Sequence, residues 1–199
     1  MADMEKTGKN LEGRGFRVHR IASGAEAAEF LVQTLYGTSI GIGGSVTIDT
    51  LGVYDRLCES NEVFWHWKNH APETRERAGK AETYLCSANG VSENGEIVNI
   101  DGFGNRVAGT IYGPERVFLV VGRNKIAPDL TGAIDRARNI AAPLNARRLN
   151  RHTPCAVGEP RCHDCRSPEK VCGVMTVFFM PPTSIKEFHV ILVDESLGY

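Results

Sequence analysis

The segment VSENGEIVNIDGFGNRVAG, residues 91–109, contains more small polar side chains than a turn between two strands requires. Glu93 and Asp101 are its candidate catalytic residues, because a carboxylate beside a ligand acts as a general acid, a general base or a hydrogen-bond acceptor. Four further residues of the segment are candidates for binding a ligand: Asn99, Gly102, Asn105 and Arg106. The alternative is that residues 93–95 form a hairpin turn and that Arg106 is solvated.

A glycine-rich turn separates a strand-like run from a helix-like run in SIGIGGSVTIDTLG, residues 39–52. Gly43 and Gly44 let the backbone approach a ligand closely, and Ser45 and Thr47 add hydroxyl groups beside them. The spacing matches neither the phosphate-binding loop nor the dinucleotide-binding fingerprint, so there is no nucleotide cofactor signal. The alternative is a tight turn in which Ser45 only caps the following helix.

Lys125, the third candidate catalytic residue, follows the most hydrophobic run of the chain, ERVFLVVG, residues 115–122. Its position predicts that Lys125 and the candidate ligand-binding residue Asn124 lie beyond the carboxyl end of a strand. Ligand sites of parallel α/β sheets form at that edge. The glycine turn, the acidic segment and this lysine are therefore expected to converge on one pocket for a small anionic metabolite.

Strand-like and helix-like runs alternate through most of the chain. The strand-like runs are TSIGI, EVFWHW, ETYLCSA, GEIVNI, ERVFLVVG, VMTVFFM and FHVILVD, and several are too apolar to have one face in water. Helical periodicity is found in residues 24–37, 46–59, 71–81, 104–113 and 128–143. The alternation predicts an α/β fold, with a mainly parallel sheet flanked by helices, over a single domain of residues 1–199.

Four cysteines lie in residues 149–173, a segment rich in Pro, Arg and Cys and poor in aliphatic side chains. Cys155, Cys162, Cys165 and Cys172 have the spacing C-x6-C-x2-C-x6-C, in which the central pair chelates one ion and the outer pair completes a tetrahedral site. Thiolate ligation suits zinc or a [4Fe–4S] cluster. The symmetric spacing differs from the common ferredoxin pattern and favours zinc, but the choice between the two stays open. The alternative is four reduced thiols without a metal.

Charge and hydropathy exclude two classes of partner. The formal net charge of −1 gives no basic surplus for binding nucleic acid. No apolar run reaches the roughly 20 residues that a membrane span requires, and the polar N-terminus lacks the apolar core of a signal peptide. We therefore expect a cytoplasmic protein without a nucleic-acid partner or a membrane span, and the oligomeric state stays open.

Three motifs resemble the LUD (lactate-utilisation) domain family: GIGGSVTIDTLG, the long stretch from LCSANGVSENG to VGRNKI, and SPEKVC followed by VILVDESLGY. The resemblance implies a Rossmann-like fold of the ribose-5-phosphate isomerase, glucosamine-6-phosphate deaminase and CoA-transferase group. We expect the cysteine-rich segment to be a C-terminal insertion in this fold. Residues 43–45, the acidic segment and residues 124–125 match motif positions of the family. No established catalytic role accompanies these matches.

Two functions follow, and whether the protein is an enzyme stays open between them. The resemblance favours an accessory or electron-transfer component of an iron–sulfur L-lactate oxidation system, with iron–sulfur subunits as partners. The loop chemistry favours an enzyme that acts on a sugar phosphate, a hydroxy acid or a CoA ester. In that enzyme Glu93 or Asp101 is the general base, and Lys125 or Arg106 holds the anion.

Overall fold

The computed structural model describes residues 3–199, which contain ten strands in two sheets. The strands are β1 (Arg17–Ile21), β2 (Ser39–Ile42), β3 (Glu62–Trp65), β4 (Thr83–Cys86), β5 (Gly90–Ser92), β6 (Ile97–Asp101), β7 (Arg116–Gly122), β8 (Ile126–Ala127), β9 (Val174–Phe178) and β10 (Glu187–Val193). Six of them form the main sheet in the order β1-β10-β7-β4-β2-β3, and all neighbouring pairs are parallel. The predicted α/β fold with a mainly parallel sheet is confirmed.

Nine helices are described within the same residues: α1 (Met4–Gly13), α2 (Gly24–Thr34), α3 (Val46–Leu51), α4 (Tyr54–Cys58), α5 (Thr74–Lys80), α6 (Asn105–Ile111), α7 (Leu130–Arg136), α8 (Ala142–Arg148) and α9 (Pro154–Val157). A π-helical turn, Ala137–Ala141, joins α7 to α8. The helix predicted over residues 46–59 is two helices, because Gly52 adopts a left-handed φ of 64° and ends α3. None of the helices in residues 3–199 is long and apolar enough to cross a membrane.

Helices cover both faces of the main sheet. On one face, Leu31 of α2, Ile48 of α3 and Leu57 of α4 pack in a cluster with Phe118 of β7. On the other face, Leu11 of α1 packs in a cluster with alternate residues of two strands. These are Val117 and Leu119 of β7 and Val190 and Leu192 of β10. Successive strand residues point to opposite faces, so β7 contributes to both clusters and its run is apolar throughout.

The second sheet has the order β8-β5-β6-β9 and stands apart from the main sheet. β6 pairs antiparallel with both β5 and β9. The expectation that GEIVNI belongs to the parallel sheet is therefore wrong. An apolar run specifies a strand but not its partner, and here Val98 and Ile100 of β6 pack on Ala133 of α7 in a third cluster.

The sequence prediction missed α1 and β1, and also the short elements β5, β8 and α9. The helix α1 buries only a narrow stripe that includes Thr7, Gly8 and Leu11, so its sequence is mostly polar. The strand β1 is an edge strand with the sequence RVHRI, and Arg17 and Arg20 are exposed. Both α1 and β1 lack the apolar periodicity that identified the predicted elements.

Candidate functional site

A cavity of about 840 Å³ opens where several strands of the main sheet reach their carboxyl ends. Gly44 follows β2, Ser87 follows β4 and Lys125 follows β7, and all three line it. The volume lies within the range of about 300–1,000 Å³ that is typical of small-molecule sites. The cavity also brings together these candidate residues from the sequence: Ser45, Thr47, Asp101, Gly102, Asn105 and Arg106.

Glu93 does not line the cavity. Its carboxylate accepts hydrogen bonds from the backbone N–H of Asp3 and the Nζ of Lys6, both at 3.1 Å. These contacts lower the pKa of Glu93, and they attach the β5–β6 turn to α1. The carboxylate of neighbouring Glu96 forms an ion pair with Arg14, the residue that follows α1. These acidic residues therefore hold α1 in place.

Three other candidates lie behind the cavity wall. The N–H of Gly43 donates to the carbonyl of Leu85, so it belongs to the sheet. Asn99 is fully buried, and its Oδ1 accepts from Arg106 at 3.4 Å. Asn124 bonds to the backbone of residues 197 and 198, and it therefore fixes the C-terminal tail against the end of β7.

Ser45 and Asp101 line the cavity but are used as helix caps. The Oγ of Ser45 accepts from the N–H of Ile48 and caps α3. The carboxylate of Asp101 accepts the N–H groups of Arg106 and Val107 in the first turn of α6 and that of Phe103 in the preceding turn, at 2.9–3.2 Å. The N–H groups of Arg106 and Val107 at the start of α6 are therefore bonded to Asp101.

Lys125 is the most deeply buried charged residue that lines the cavity, with 2% of its surface exposed. Its Nζ donates to the Oγ1 of Thr47 at 2.7 Å and to the Oγ of Ser87 at 2.8 Å. Burial, and then the positive charges of Arg136 and Arg106, hold the pKa of Lys125 well below its usual value. The lysine therefore loses its proton more easily than a solvated lysine does.

Two guanidinium groups lie next to Lys125, and both bond to neutral oxygens. Arg106 donates to the carbonyls of residues 87 and 100 and to the side-chain oxygens of residues 89 and 99. Arg136 donates to the carbonyls of residues 89 and 124, and burial lowers its pKa to about 10. Within the described chain, no carboxylate forms an ion pair within 4.0 Å with the side chain of Arg106, Arg136 or Lys125.

The outer part of the cavity carries further positive charge and several aromatic rings. The seven basic residues of the lining outnumber its three acidic residues; the basic ones are Lys68, Arg75, Arg106, Lys125, Arg148, Arg151 and Lys170. Arg148 stacks on Trp67 at 4.4 Å and donates to the hydroxyl of Tyr199 at 2.9 Å. Arg75 lies 4.9 Å from the ring centre of Phe103. This rim therefore combines cationic groups with flat apolar surfaces.

The cysteine-rich segment forms one wall of the cavity through residues 168–171. All four of its cysteines are free and partly exposed. The Sγ of Cys162 accepts from Arg138 at 3.2 Å and from the N–H of Asp164 at 3.4 Å. Within residues 3–199, no group of three or more His, Cys, Asp or Glu side chains is arranged to hold a metal ion. The four-cysteine metal site stays a prediction.

Sequence reasoning missed several residues of the cavity and its floor: Ser87, Arg136, Trp67, Arg148 and Tyr199. Ser87 lies within the predicted strand ETYLCSA, near its end, whereas β4 ends at Cys86, so the rule that selected Lys125 applies to Ser87 only once the end of the strand is known. The other four carry no local signal. Arg136 and Arg148 lie in helices among other arginines, and Tyr199 reaches the cavity through the fold of the C-terminal tail.

Comparison with known proteins places the chain in a family. It is similar in fold to a crystal structure of a DUF162 family protein from Deinococcus radiodurans, with a TM-score of 0.55, 13% identity, and coverage of 96% of this chain and 95% of that one. No curated protein sequence matches it. The LUD domain family model matches residues 4–193, which is nearly the whole sequence. The chain therefore belongs to the LUD domain family and is related to lactate-utilisation proteins.

Proposed function

We propose that this LUD domain protein binds a small organic anion in the cavity and acts on it through the amine of Lys125. The candidate ligands are hydroxy acids, sugar phosphates and CoA esters, all of which carry a carboxylate or a phosphate. The arginines and lysines of the lining supply the positive charge for such a group.

One observation carries the proposal: Arg106 at the floor of the cavity and Arg136 behind it have guanidinium groups without a carboxylate partner in the described chain, and both lie close enough to Lys125 to lower its pKa. Buried positive charge is unfavourable unless an anion or hydrogen bonds stabilise it. Here Arg106 and Arg136 bond only to neutral oxygens, and a bound anion would supply the missing charge.

The residues of the site divide into three roles in this proposal. Arg106 and Arg136 create the positive potential at the floor, and Lys125 is the group that reacts. Asp101 and Ser45 hold the helices that carry the site. Basic side chains of the rim bind the anionic group of the ligand: Lys68, Arg75, Arg148, Arg151 and Lys170.

Calorimetry with L-lactate, pyruvate, ribose 5-phosphate and a CoA ester tests the binding step. We choose Arg151→Met as the variant, because the Arg151 side chain makes no hydrogen bond or ion pair with other described residues and lines the cavity. Loss of one charge-assisted hydrogen bond, about 1.5–3 kcal/mol, weakens binding by roughly tenfold or more.

The matched control is Arg56→Met, which removes an exposed arginine that pairs with Glu29 outside the cavity. It should leave the affinity unchanged. If none of the four compounds binds the wild-type protein, or if both variants bind equally well, the cavity is not the anion site that we propose.

An accessory or electron-transfer role in an iron–sulfur lactate-oxidising system is the second candidate. The gathering of four thiols in one segment supports it, because thiolates are the ligands of iron–sulfur clusters and of structural zinc. Anaerobically purified protein should then contain iron and absorb visible light that bleaches on reduction. A colourless protein with one zinc would support a structural role for the segment instead.

A further inference from the structure

The amine of Lys125 is hydrogen-bonded to two hydroxyl groups, and each hydroxyl donates its own proton to a backbone carbonyl. The Oγ of Ser87 donates to the carbonyl of Val120 at 2.6 Å, and the Oγ1 of Thr47 donates to the carbonyl of Leu197 at 3.3 Å. Each hydroxyl has one proton, so both must accept a hydrogen bond from Lys125. A neutral amine has two N–H bonds, and both are used by these contacts.

The lone pair of the amine is what remains for a ligand. In a tetrahedral neutral amine, two N–H bonds, the bond to Cε and the lone pair occupy the four directions. Two hydroxyls and the side chain account for three of them. Since Lys125 also lines the cavity, the lone pair is the part of the amine that is available to a bound molecule.

The charged and titratable groups around Lys125 favour the neutral form. Arg106 and Arg136 are cationic, and each disfavours a second positive charge beside it. Cys86 is fully buried, and burial raises the pKa of its thiol to about 12, so it supplies no negative charge at neutral pH. Lysines that are desolvated and placed beside other cations are the ones that proteins use as nucleophiles.

We propose that Lys125 forms an imine with the carbonyl carbon of a small anionic carbonyl compound bound in the cavity. The inference rests on the proposed function, and it narrows the ligand to a molecule with both a carbonyl and a carboxylate or phosphate. The carbonyl meets the amine at the floor, while the anionic group lies against the arginines and lysines of the lining.

The step needs no oxidant and no cofactor. The nitrogen lone pair forms a bond to the carbonyl carbon, the π electrons of the carbonyl move to oxygen, and that oxygen takes up the proton that nitrogen releases. The resulting carbinolamine loses its hydroxyl as water, with the second proton from nitrogen, and the C=N bond forms. Thr47 and Ser87 are positioning residues that hold the amine through their oxygens.

Reductive trapping tests the proposal on the full-length protein. Sodium cyanoborohydride is added with pyruvate in one sample and with dihydroxyacetone phosphate in another, which separates carboxylate from phosphate recognition. With pyruvate, the Lys125 peptide should gain the mass of pyruvic acid less one oxygen atom. We expect labelling of Lys125 about tenfold above that of Lys68 and Lys170, which line the same cavity and serve as internal controls.

The pH dependence provides a second measurement on the wild-type protein. As the pH falls toward neutrality, labelling of exposed lysines should decline, whereas labelling of Lys125 should persist because its pKa is held well below the usual value. Equal labelling of all three lysines, or labelling that spares Lys125, would overturn the imine. This measurement does not depend on a variant that folds.

Binding measured without the reductant distinguishes the imine from the proposed function. If calorimetry shows that anions bind but Lys125 is never labelled, the anion site stands and the imine is wrong. If no anion binds, both fail.

Discussion

At the scale of single residues, the position of Lys125 is unfavourable for a charged group. A protonated lysine there would be shielded from water and would face Arg106 and Arg136. Such positions reduce stability, and they are common at functional sites, where a perturbed pKa is part of the chemistry.

Replacing Lys125 should therefore stabilise the protein at neutral pH. Below the usual lysine pKa of 10.5, the unfolded chain holds a proton at Lys125 more firmly than the folded chain does, so this residue lowers stability as the pH falls from 10.5 toward the folded-state pKa. Lys125→Met should raise the melting temperature at neutral pH, by a difference that narrows as the pH approaches 10.5.

Calorimetric unfolding over this pH range checks the prediction. The control is Lys186→Met, because Lys186 is an exposed lysine that pairs with Glu115. Its effect should be small and nearly independent of pH. A destabilised Lys125→Met protein at every pH would show that the hydrogen bonds to Thr47 and Ser87 outweigh the cost of burial.

At the scale of elements, Asp101 determines where α6 begins. Its carboxylate accepts the two backbone N–H groups of Arg106 and Val107, which would otherwise lack partners in the first turn of the helix. Asp101→Ala should lower the free energy of unfolding by about 1–2 kcal/mol, as loss of a helix cap usually does. Asp101→Asn should lose less, because its amide oxygen still accepts.

Chemical denaturation measures these differences. Asp129→Ala is a matched control, because Asp129 caps α7 outside the cavity through the N–H of Gly132 at 2.8 Å. The two alanine variants should lose similar stability. Unchanged stability of Asp101→Ala would contradict the capping role and would return Asp101 to consideration as the general base.

Metal binding by the four cysteines of the cysteine-rich segment is still a prediction. If the four thiols bind zinc or a cluster, Cys162→Ser lowers metal content and melting temperature together, because removing one thiolate opens the site. Elemental analysis and thermal unfolding measure both quantities. Cys58→Ser is the control, because Cys58 is an exposed cysteine in α4. Full metal occupancy in Cys162→Ser would argue against a four-thiolate site.

Whether a strand or helix could be predicted from the sequence depended on how apolar it is. β7 and β10 are apolar on both faces and were found, whereas β1 is polar and was missed. The carboxyl-edge rule predicted that residues 44–47 and 125 meet around one cavity. Residues 101–106 were expected there by the same rule and do line the cavity, but they follow β6 of the second sheet, to which the rule does not apply. The same reasoning misplaced Glu93, because its partners Asp3 and Lys6 are nearly ninety residues away, and no local pattern reports such a contact.

At the scale of the whole molecule, the cavity collects residues from much of the chain, from Gly44 after β2 to Tyr199 at the end of the tail. The main sheet forms the floor of the cavity, and the cysteine-rich segment forms one wall. Asn124 bonds the C-terminal tail to the end of β7. A partly folded chain therefore lacks most of the site.

The positive cavity belongs to a chain whose formal net charge is −1. The remaining surface must then carry a negative excess, and at physiological ionic strength a charge is felt over only about 8 Å. An anion in bulk solution is thus not steered toward the protein from a distance. The association rate of the anion should therefore depend only weakly on salt concentration. The protein distinguishes one anion from another only after the anion has entered the cavity.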